Sequence, residues 1–542
     1  MDEDPMLTKD NIETFKTALS VALRTTREAD DELSDRFVEL RPGMLSALEA
    51  PVNNLITGRR GVGKSTTLAI LHRRAEENGA KVIFVDVEHH KSREYPDVLI
   101  EILSDILATA RPPRFNRKAR KARRNTKRLI AILRTLATSA PEITTTTTNG
   151  SNRRSESGIT LRGGIARQYA QLTAGVGRSR NRYTSTATSS SHTRKKEEIL
   201  RDLLPAIAET LELDATASGY ESILVVLDDY YFVAKDSQPL VLDYLHGATK
   251  RNNIWLKIGS VRSRTHTFAD GNPPLGMQPP HDLQHLSLDV GLEEFSTAKS
   301  FLESVTNGVL EPVGFKIRDV LSGTARERAV LVAGGAVARD YFDLLIAAVD
   351  AGWETNQRSK TASDSFIIGA EDVQVAAGLR LQRKMSDLRN DAGREAPELQ
   401  KRFDDLLRFV RDRETFFFLI NRDSLETYWG RQIEELEDLR FVHRIMTTRP
   451  NTGSWRGVDT VVFMVDLAAI VEKRMRKAPV EFWKPGKADQ LRRAEWIYAP
   501  DWTSKAKGSA KAKSRPENIS EDQKDPQPEL NELPFDDIAD ER

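Results

Sequence analysis

The sequence predicts an α/β chain: a three-layer αβα core around a parallel sheet, then a helical region, then a C-terminal unit that mixes helices and strands. Three observations predict it. Short apolar runs alternate with helical periodicity between residues 54 and 288, the pattern of a parallel sheet flanked by helices. From Leu292 to about Gly352 the pattern is helical only. Beyond residue 416, strand-like runs return around one helix and a turn-rich loop.

The elements follow in order. Residues 8–30 read as an amphipathic helix, with Ile12, Phe15, Leu19, Val21 and Leu23 at near-helical spacing. Asn54–Thr57 is a short strand that runs into a glycine-rich turn, and a helix follows from about Ser65 to Asn78. Lys81–Asp86 is the next strand, and residues 96–110 and 117–138 are helical. Ile223-Leu-Val-Val-Leu227 is an unbroken apolar run, as expected of a strand covered on both faces. A helix (Pro239–Arg251), a strand (Ile254–Ser260) and a fifth strand (Leu283–Leu288) complete the core. The polar stretch Trp353–Asp364 reads as a linker. Helices at 370–384 and 396–412 open the last unit. It continues with Phe416–Ile420, a helix at about Ser424–Leu436, and strands Phe441–Met446 and Val458–Val465.

Residues 141–193 differ from their surroundings. They are rich in Thr, Ser, Gly and Arg and offer little to bury. A disordered insertion and a long β-hairpin arm both fit this composition. Immediately before it, residues 111–128 contain no acid, whereas the stretch from Glu517 onward is strongly acidic. Total charge is nearly balanced, 81 Lys+Arg against 80 Asp+Glu, and its segregation is compatible with nucleic-acid contact by the basic parts. The absence of cysteine excludes disulfides, cysteine–zinc sites, iron–sulfur clusters and thiol nucleophiles. No apolar run approaches the ~20 residues of a membrane span, and the acidic N-terminus is no secretion signal, so a cytoplasmic protein without a membrane partner is expected.

The strongest motif is Gly58-Arg-Arg-Gly-Val-Gly63-Lys64-Ser65, which matches G-x-x-x-x-G-K-[ST] at every fixed position between a strand and a helix. Such a P-loop turns successive backbone N–H groups toward phosphate oxygens and adds the helix N-terminus to them. Gly58, Gly61, Val62, Gly63, Lys64, Ser65 and Thr66 are therefore the expected nucleotide-binding residues. Lys64 reaches the β- and γ-phosphates and Ser65 supplies a hydroxyl to Mg²⁺. Leu224-Val-Val-Leu-Asp228-Asp229 places two acids at the carboxyl end of a buried strand, where open α/β sheets bind ligands. Asp228 is the expected Mg²⁺ residue and Asp229 the general base. An aspartate is shorter than a glutamate, so slow hydrolysis is expected. Asp229 as a cap of the following turn is the bland alternative.

Ser260, at the end of the strand that follows, can orient an attacking water, and Arg262 or Arg264 can sense a γ-phosphate in cis or from a neighbouring subunit. Solvated loop arginines are the alternative. Arg339, in Gly334-Gly-Ala-Val-Ala-Arg-Asp340, can swing onto a nucleotide or simply pair with a nearby acid on a helix surface. There is no H-E-x-x-H, no G-x-S-x-G and no guanine-reading Asn/Thr-Lys-x-Asp motif.

In this order the motifs resemble the AAA+/STAND branch of P-loop ATPases, and within it bacterial ATPases similar to the Orc/Cdc6 group. Val38-Glu-Leu-Arg-Pro, the P-loop, Leu227-Asp-Asp-Tyr-Tyr-Phe and Gln238-Pro-Leu-Val-Leu-Asp-Tyr-Leu-His246 carry the resemblance, over about residues 30–110 and 195–480. It implies Walker A at Lys64 and Ser65, Walker B at Asp228 and Asp229, sensor 1 at Ser260 and sensor 2 at Arg339. It implies ATP as the nucleotide, a helical lid and a DNA-contacting winged helix, in which Arg422, Arg431, Arg444, Arg449 and Arg456 can meet phosphates; a winged helix can equally serve as a protein-packing module. It also implies a mobile-element or phage-defence setting. Two departures stand out: Asp-Asp replaces Asp-Glu, as in STAND switches, while the Gly-x-Pro of a STAND lid is missing.

The expected organisation is an N-terminal helix (1–30), a P-loop ATPase core (31–290) carrying the 111–194 insertion, a helical lid (291–352), a winged-helix-like domain (365–500) and a disordered tail (501–542). Two functions compete. One is an ATPase coupling Mg-ATP binding and hydrolysis to double-stranded DNA or to homo-oligomer assembly. The other is a STAND-type nucleotide switch acting through a protein partner.

Overall fold

A computed structural model describes residues 6–24, 30–110, 117–139, 142–147, 190–250, 253–359, 363–392, 395–470 and 479–502. The chain forms two compact units. One holds residues 20–289 with 337–339; the other holds 1–19, 290–336 and 340–542.

The first unit is a mixed α/β fold on a five-stranded parallel sheet. Its strands and helices, in order, are β1 (Asn54–Thr57), α1 (Lys64–Glu77), β2 (Lys81–Asp86), α2 (Asp97–Thr109), α3 (Arg117–Ala137), β3 (Glu142–Thr147), β4 (Ser190–Lys195), α4 (Lys196–Ser218), β5 (Ile223–Asp228), α5 (Gln238–Thr249), β6 (Ile254–Ser260) and β7 (Gln284–Ser287). The sheet runs β7-β1-β6-β5-β2, every neighbouring pair parallel. All six residues of β5 are buried, as expected of a central strand with helices packed over it. β6 lies between β1 and β5, so the strand before the P-loop and the strand ending in Asp228 are separated by one strand. Every carboxyl end lies at the same sheet edge. The core is contributed by the sheet together with α2, α3, α4 and α5.

α3 is strongly amphipathic. Ala119, Ala122, Leu129, Ile132, Leu133 and Leu136 are buried, and the helix packs on α2 and α4. Thr126 points its hydroxyl at the buried Asp214 of α4, 3.5 Å away. Burial pushes the Asp214 carboxyl up to about 7, with Lys81 pulling the other way. β3 and β4 form an antiparallel pair from Glu142↔Lys195 to Thr147↔Ser190. The hairpin and disorder readings of the segment between them fall outside the described residues. At the foot of this pair Lys196 is buried and bonds Asp97 at 2.7 Å, tying the start of α4 to the start of α2.

The second unit is helical around a small antiparallel sheet. It comprises α6 (Phe295–Leu310), α7 (Gly323–Ala333), α8 (Ala338–Arg358, from residue 340), α9 (Ala370–Ala392), α10 (Ala396–Asp412), β8 (Phe417–Asn421), α11 (Tyr428–Asp438), β9 (Val442–Thr448) and β10 (Thr460–Val465). The sheet order is β8-β10-β9. The chain's beginning belongs here too: Leu7–Thr8 pairs with Ser365–Phe366, and Phe15 meets Phe315 edge-on at 5.6 Å.

Several sequence expectations change, among them the helix expected at 370–384, which runs on to Ala392. The first helix is Ile12–Ala22 rather than 8–30; residues 7–8 pair as a strand, and residues 25–29 lie outside the described set. The stretch from Trp353 is not a linker as far as Arg358. α8 continues through it, because Trp353 packs on Phe366 at 5.8 Å and Thr355 donates to Asp372 at 2.7 Å. The tail expected from 501 lies outside the described residues beyond Trp502. Among the described residues, no helix is long and apolar enough to cross a membrane.

Candidate active site

The P-loop connects β1 to α1 at the carboxyl edge of the sheet. Gly61 and Gly63 hold φ of 90° and 101°, a left-handed backbone that a side chain disfavours, and this lets the loop curl directly into the helix. The α1 ladder starts with Thr67 N–H donating to Gly63 O at 2.8 Å, so the amides of Lys64, Ser65 and Thr66 lead out of the helix N-terminus. Val62 is buried beneath the loop. Lys64 is only 7% exposed and donates to Gly58 O at 2.7 Å and Arg59 O at 3.3 Å. Its ammonium is thus held across the loop's own carbonyls. Arg59 is held to Asp289: its backbone N–H and its Nε both donate to that carboxylate, at 2.9 and 3.1 Å.

Asp228 ends β5 and is 4% exposed. Burial raises its carboxyl above the usual range, while hydrogen bonds from Ser65 and from the Asp229 amide oppose that rise. Ser65 of α1 and Asp228 of β5 are thus neighbours although they are far apart in the chain. Hard oxygen donors in this arrangement suit Mg²⁺. Asp229 sits at φ 53°, ψ 40°, and its side chain makes no capping bond to the turn that follows. Burial first, and the Asp228 charge second, push its carboxyl up to about 6.

Two carboxylates that the sequence reading passed over join this edge. β2 pairs with β5 in the register Asp86↔Asp228. Asp86, Glu88 and Asp229 consequently bring one carboxylate oxygen each to within 4.8 Å of one another. A third omission is Gly259 of β6. A Cβ there would lie 2.9 Å from the Asp228 Oδ1, so the glycine leaves the room that the carboxylate occupies. The apolar run of β5 and its adjacent acids are visible in sequence; the register that adds Asp86 is not.

Ser260 is fully buried at the end of β6, where its carbonyl accepts from Gly58 N at 3.3 Å. Its hydroxyl is engaged with Thr265 at 2.6 Å. Arg262 and Arg264 occupy the turn just after β6; Arg262 is exposed and lies near enough to His285 to lower that imidazole's pKa, after burial. Arg339 is brought to the P-loop by its backbone, N–H to Gly61 O at 3.3 Å. Lys64, Ser65, Asp228 and Asp229 therefore converge, and Arg339 and Ser260 abut the loop through main-chain bonds.

The five arginines expected to meet phosphates in the C-terminal unit fare unequally. Arg444 turns inward over the Phe463 ring at 5.2 Å and bonds Glu437 at 3.2 Å. Arg449 pairs with Asp459 at 2.6 Å. Arg422, Arg431 and Arg456 are exposed.

No protein-family model matches the sequence, and no curated protein sequence matches it. Among solved structures, the chain is similar to a Drosophila ORC bound to DNA, with TM-score 0.33 and 12% identity over 88% of this chain and 95% of that one. It is also similar to the Aeropyrum pernix ORC1 protein in complex with DNA, with TM-score 0.31 and 15% identity over 84% and 94%. Scores of this size do not establish a shared fold.

Proposed function

We propose that this chain is an ATP-binding P-loop ATPase that couples Mg-ATP binding and slow hydrolysis to DNA binding and subunit assembly. The observation that carries the reading is the meeting of Ser65 with Asp228 beside a glycine-curled loop that holds Lys64. Lys64 would exchange loop carbonyls for β- and γ-phosphate oxygens, and the leading amides of α1 would receive the phosphate chain. Ser65 and Asp228 would hold Mg²⁺, which supplies charge neutralisation at the transferring phosphoryl group. Asp229 would take the proton of an attacking water, with its raised pKa suited to that exchange near neutral pH. Its shortness and the crowding by Asp86 and Glu88 favour slow turnover. Arg339, Arg262 and Arg264 are the candidates for sensing the γ-phosphate.

Residues 291–352 serve in this reading as the lid. The order helix, strand, helix, strand, loop, strand in the last unit, with β10 between β8 and β9, supports a winged-helix module. The Orc/Cdc6-like, mobile-element or phage-defence setting belongs to the same proposal. A second reading, a STAND-type switch acting on a protein partner, is favoured by the acid-rich helix α11, which carries Glu434, Glu435, Glu437 and Asp438 against one Arg431.

The test is the ATP hydrolysis rate with and without duplex DNA, with Lys64→Ala as the blank. Stimulation by DNA that vanishes in the blank is expected. A rate indifferent to DNA moves the assignment to the switch, and a rate equal in the blank removes the nucleotide site.

A further inference from the structure

Helix α3 presents a face whose charges are all of one sign. On α3, Arg120, Arg124, Lys127 and Arg134 are all exposed, and their spacing of four, three and seven residues keeps them on one stripe. None of the four makes an ion pair among the described residues. Lys121, beside the stripe, pairs with Glu209 at 2.7 Å. The helix contains no acid from Arg117 to Ala137.

A merely solvated helix face gains by mixing signs at i, i+3 and i+4. Like charges at those spacings repel and weaken the helix. Arg120–Arg124 and Arg124–Lys127 are such pairs. The opposite, apolar face holds α3 against α2 and α4 despite that repulsion. The stripe spans about 21 Å at 1.5 Å per residue, the rise of about six base pairs at 3.4 Å each. In the C-terminal module, α11 is acidic, and two of the five candidate arginines, Arg444 and Arg449, are paired with acids of the same module.

We infer that the duplex-DNA backbone is met by the basic stripe of α3 and not by α11 and the loop of the C-terminal module. The inference rests on the DNA-binding part of the proposed function and assigns it a surface. Phosphates on the stripe would relieve the repulsion within it and release counterions, so binding falls steeply with salt.

The experiment measures full-length protein binding to a fluorescein-labelled 20-base-pair duplex by polarisation, across a salt series. One variant carries Arg120→Gln, Arg124→Gln, Lys127→Gln and Arg134→Gln; the other carries Arg422→Gln, Arg431→Gln and Arg456→Gln. Binding of a fluorescent ATP analogue reports that each variant is folded. The stripe variant is expected to lose affinity roughly 10²-fold, with a salt slope shallower by about 3–4. The module variant is expected to stay within about twofold. Should the quadruple change disturb folding, the Arg124→Gln, Lys127→Gln pair is expected to give about half the slope change.

Equal loss in both variants, or loss confined to the module variant, overturns the inference while leaving DNA binding intact. A wild-type protein that binds no duplex at low salt removes the DNA part of the proposed function as well. Preferential binding of phosphatidylserine vesicles through the stripe would also overturn it.

Discussion

Buried carboxylates occur in both units, and they are treated in opposite ways. In the second unit Asp466 is fully buried and satisfied: Lys384 donates to it, as does the amide of Ala468 at 3.1 Å. Lys384 also donates to Arg440 O at 2.6 Å, and Arg440 in turn binds Asp340 at 2.7 Å. At the sheet edge of the first unit, Asp228 and Asp229 lie side by side with Asp86 and Glu88 nearby, and their carboxyls are raised. Acids neutralised by basic partners hold elements together. Acids crowded against one another store a readiness to bind a cation or accept a proton.

The largest expected effect tests the satisfied side. Asp466→Asn keeps the shape but strands the Lys384 ammonium, and should cost about 3–5 kcal/mol of stability. A thermal unfolding midpoint lowered by several degrees, with ATP-analogue binding kept below that temperature, is the expected result. An unchanged midpoint would break the contrast. Asp228→Asn tests the crowded side. Hydrolysis should fall roughly 10²-fold, about 2.7 kcal/mol, with the unfolding midpoint unchanged or raised because a repulsion is removed. A large loss of stability there would make Asp228 an architectural residue.

Asp214 sharpens the comparison as an intermediate case. It is fully buried, and its nearest donor is the Thr126 hydroxyl at 3.5 Å. Its folded pKa of about 7 lies above the ordinary carboxylate value of about 4. The protonated form is therefore favoured by folding. That stabilisation is complete below about pH 4 and is lost as pH rises through about 7. Asp214→Asn should raise stability by roughly 1–2 kcal/mol at pH 8 and change it little at pH 4. Parallel melting curves at the two pH values check this, and an equal shift at both would assign the effect to packing.

Much of this was legible in the residue order because it is local. Asn54–Thr57, Lys81–Asp86 and Ile254–Ser260 are strands with the bounds that their apolar runs suggest. The P-loop and the Asp228-Asp229 pair are contiguous, so their chemistry can be named before their geometry is known. What was not legible depends on register and packing. Asp86 and Glu88 reach Asp229 only because β2 lies beside β5. Gly259 reads as an ordinary strand glycine until the Asp228 carboxylate is placed against it. Arg444 looks like a surface cation, but its guanidinium lies over Phe463. The polar letters of residues 354–358 suggested a linker; Trp353 and Thr355, through tertiary partners, keep that stretch helical. The acidic character of α11 was present in the letters, as was its place in the chain between β8 and β9.

The β3–β4 pair has a consequence for the segment it brackets. Thr147 and Ser190 face each other across an antiparallel ladder, so their Cα atoms are about 5 Å apart. That separation is one a two-residue Asn-Gly turn closes. Residues 148–189 can thus be excised or exchanged as a cassette, with the start of α4 still anchored to the start of α2 by Lys196 and Asp97. The chain is in this respect a host with a built-in splice point, at which the contribution of the inserted sequence can be subtracted from that of the five-stranded unit.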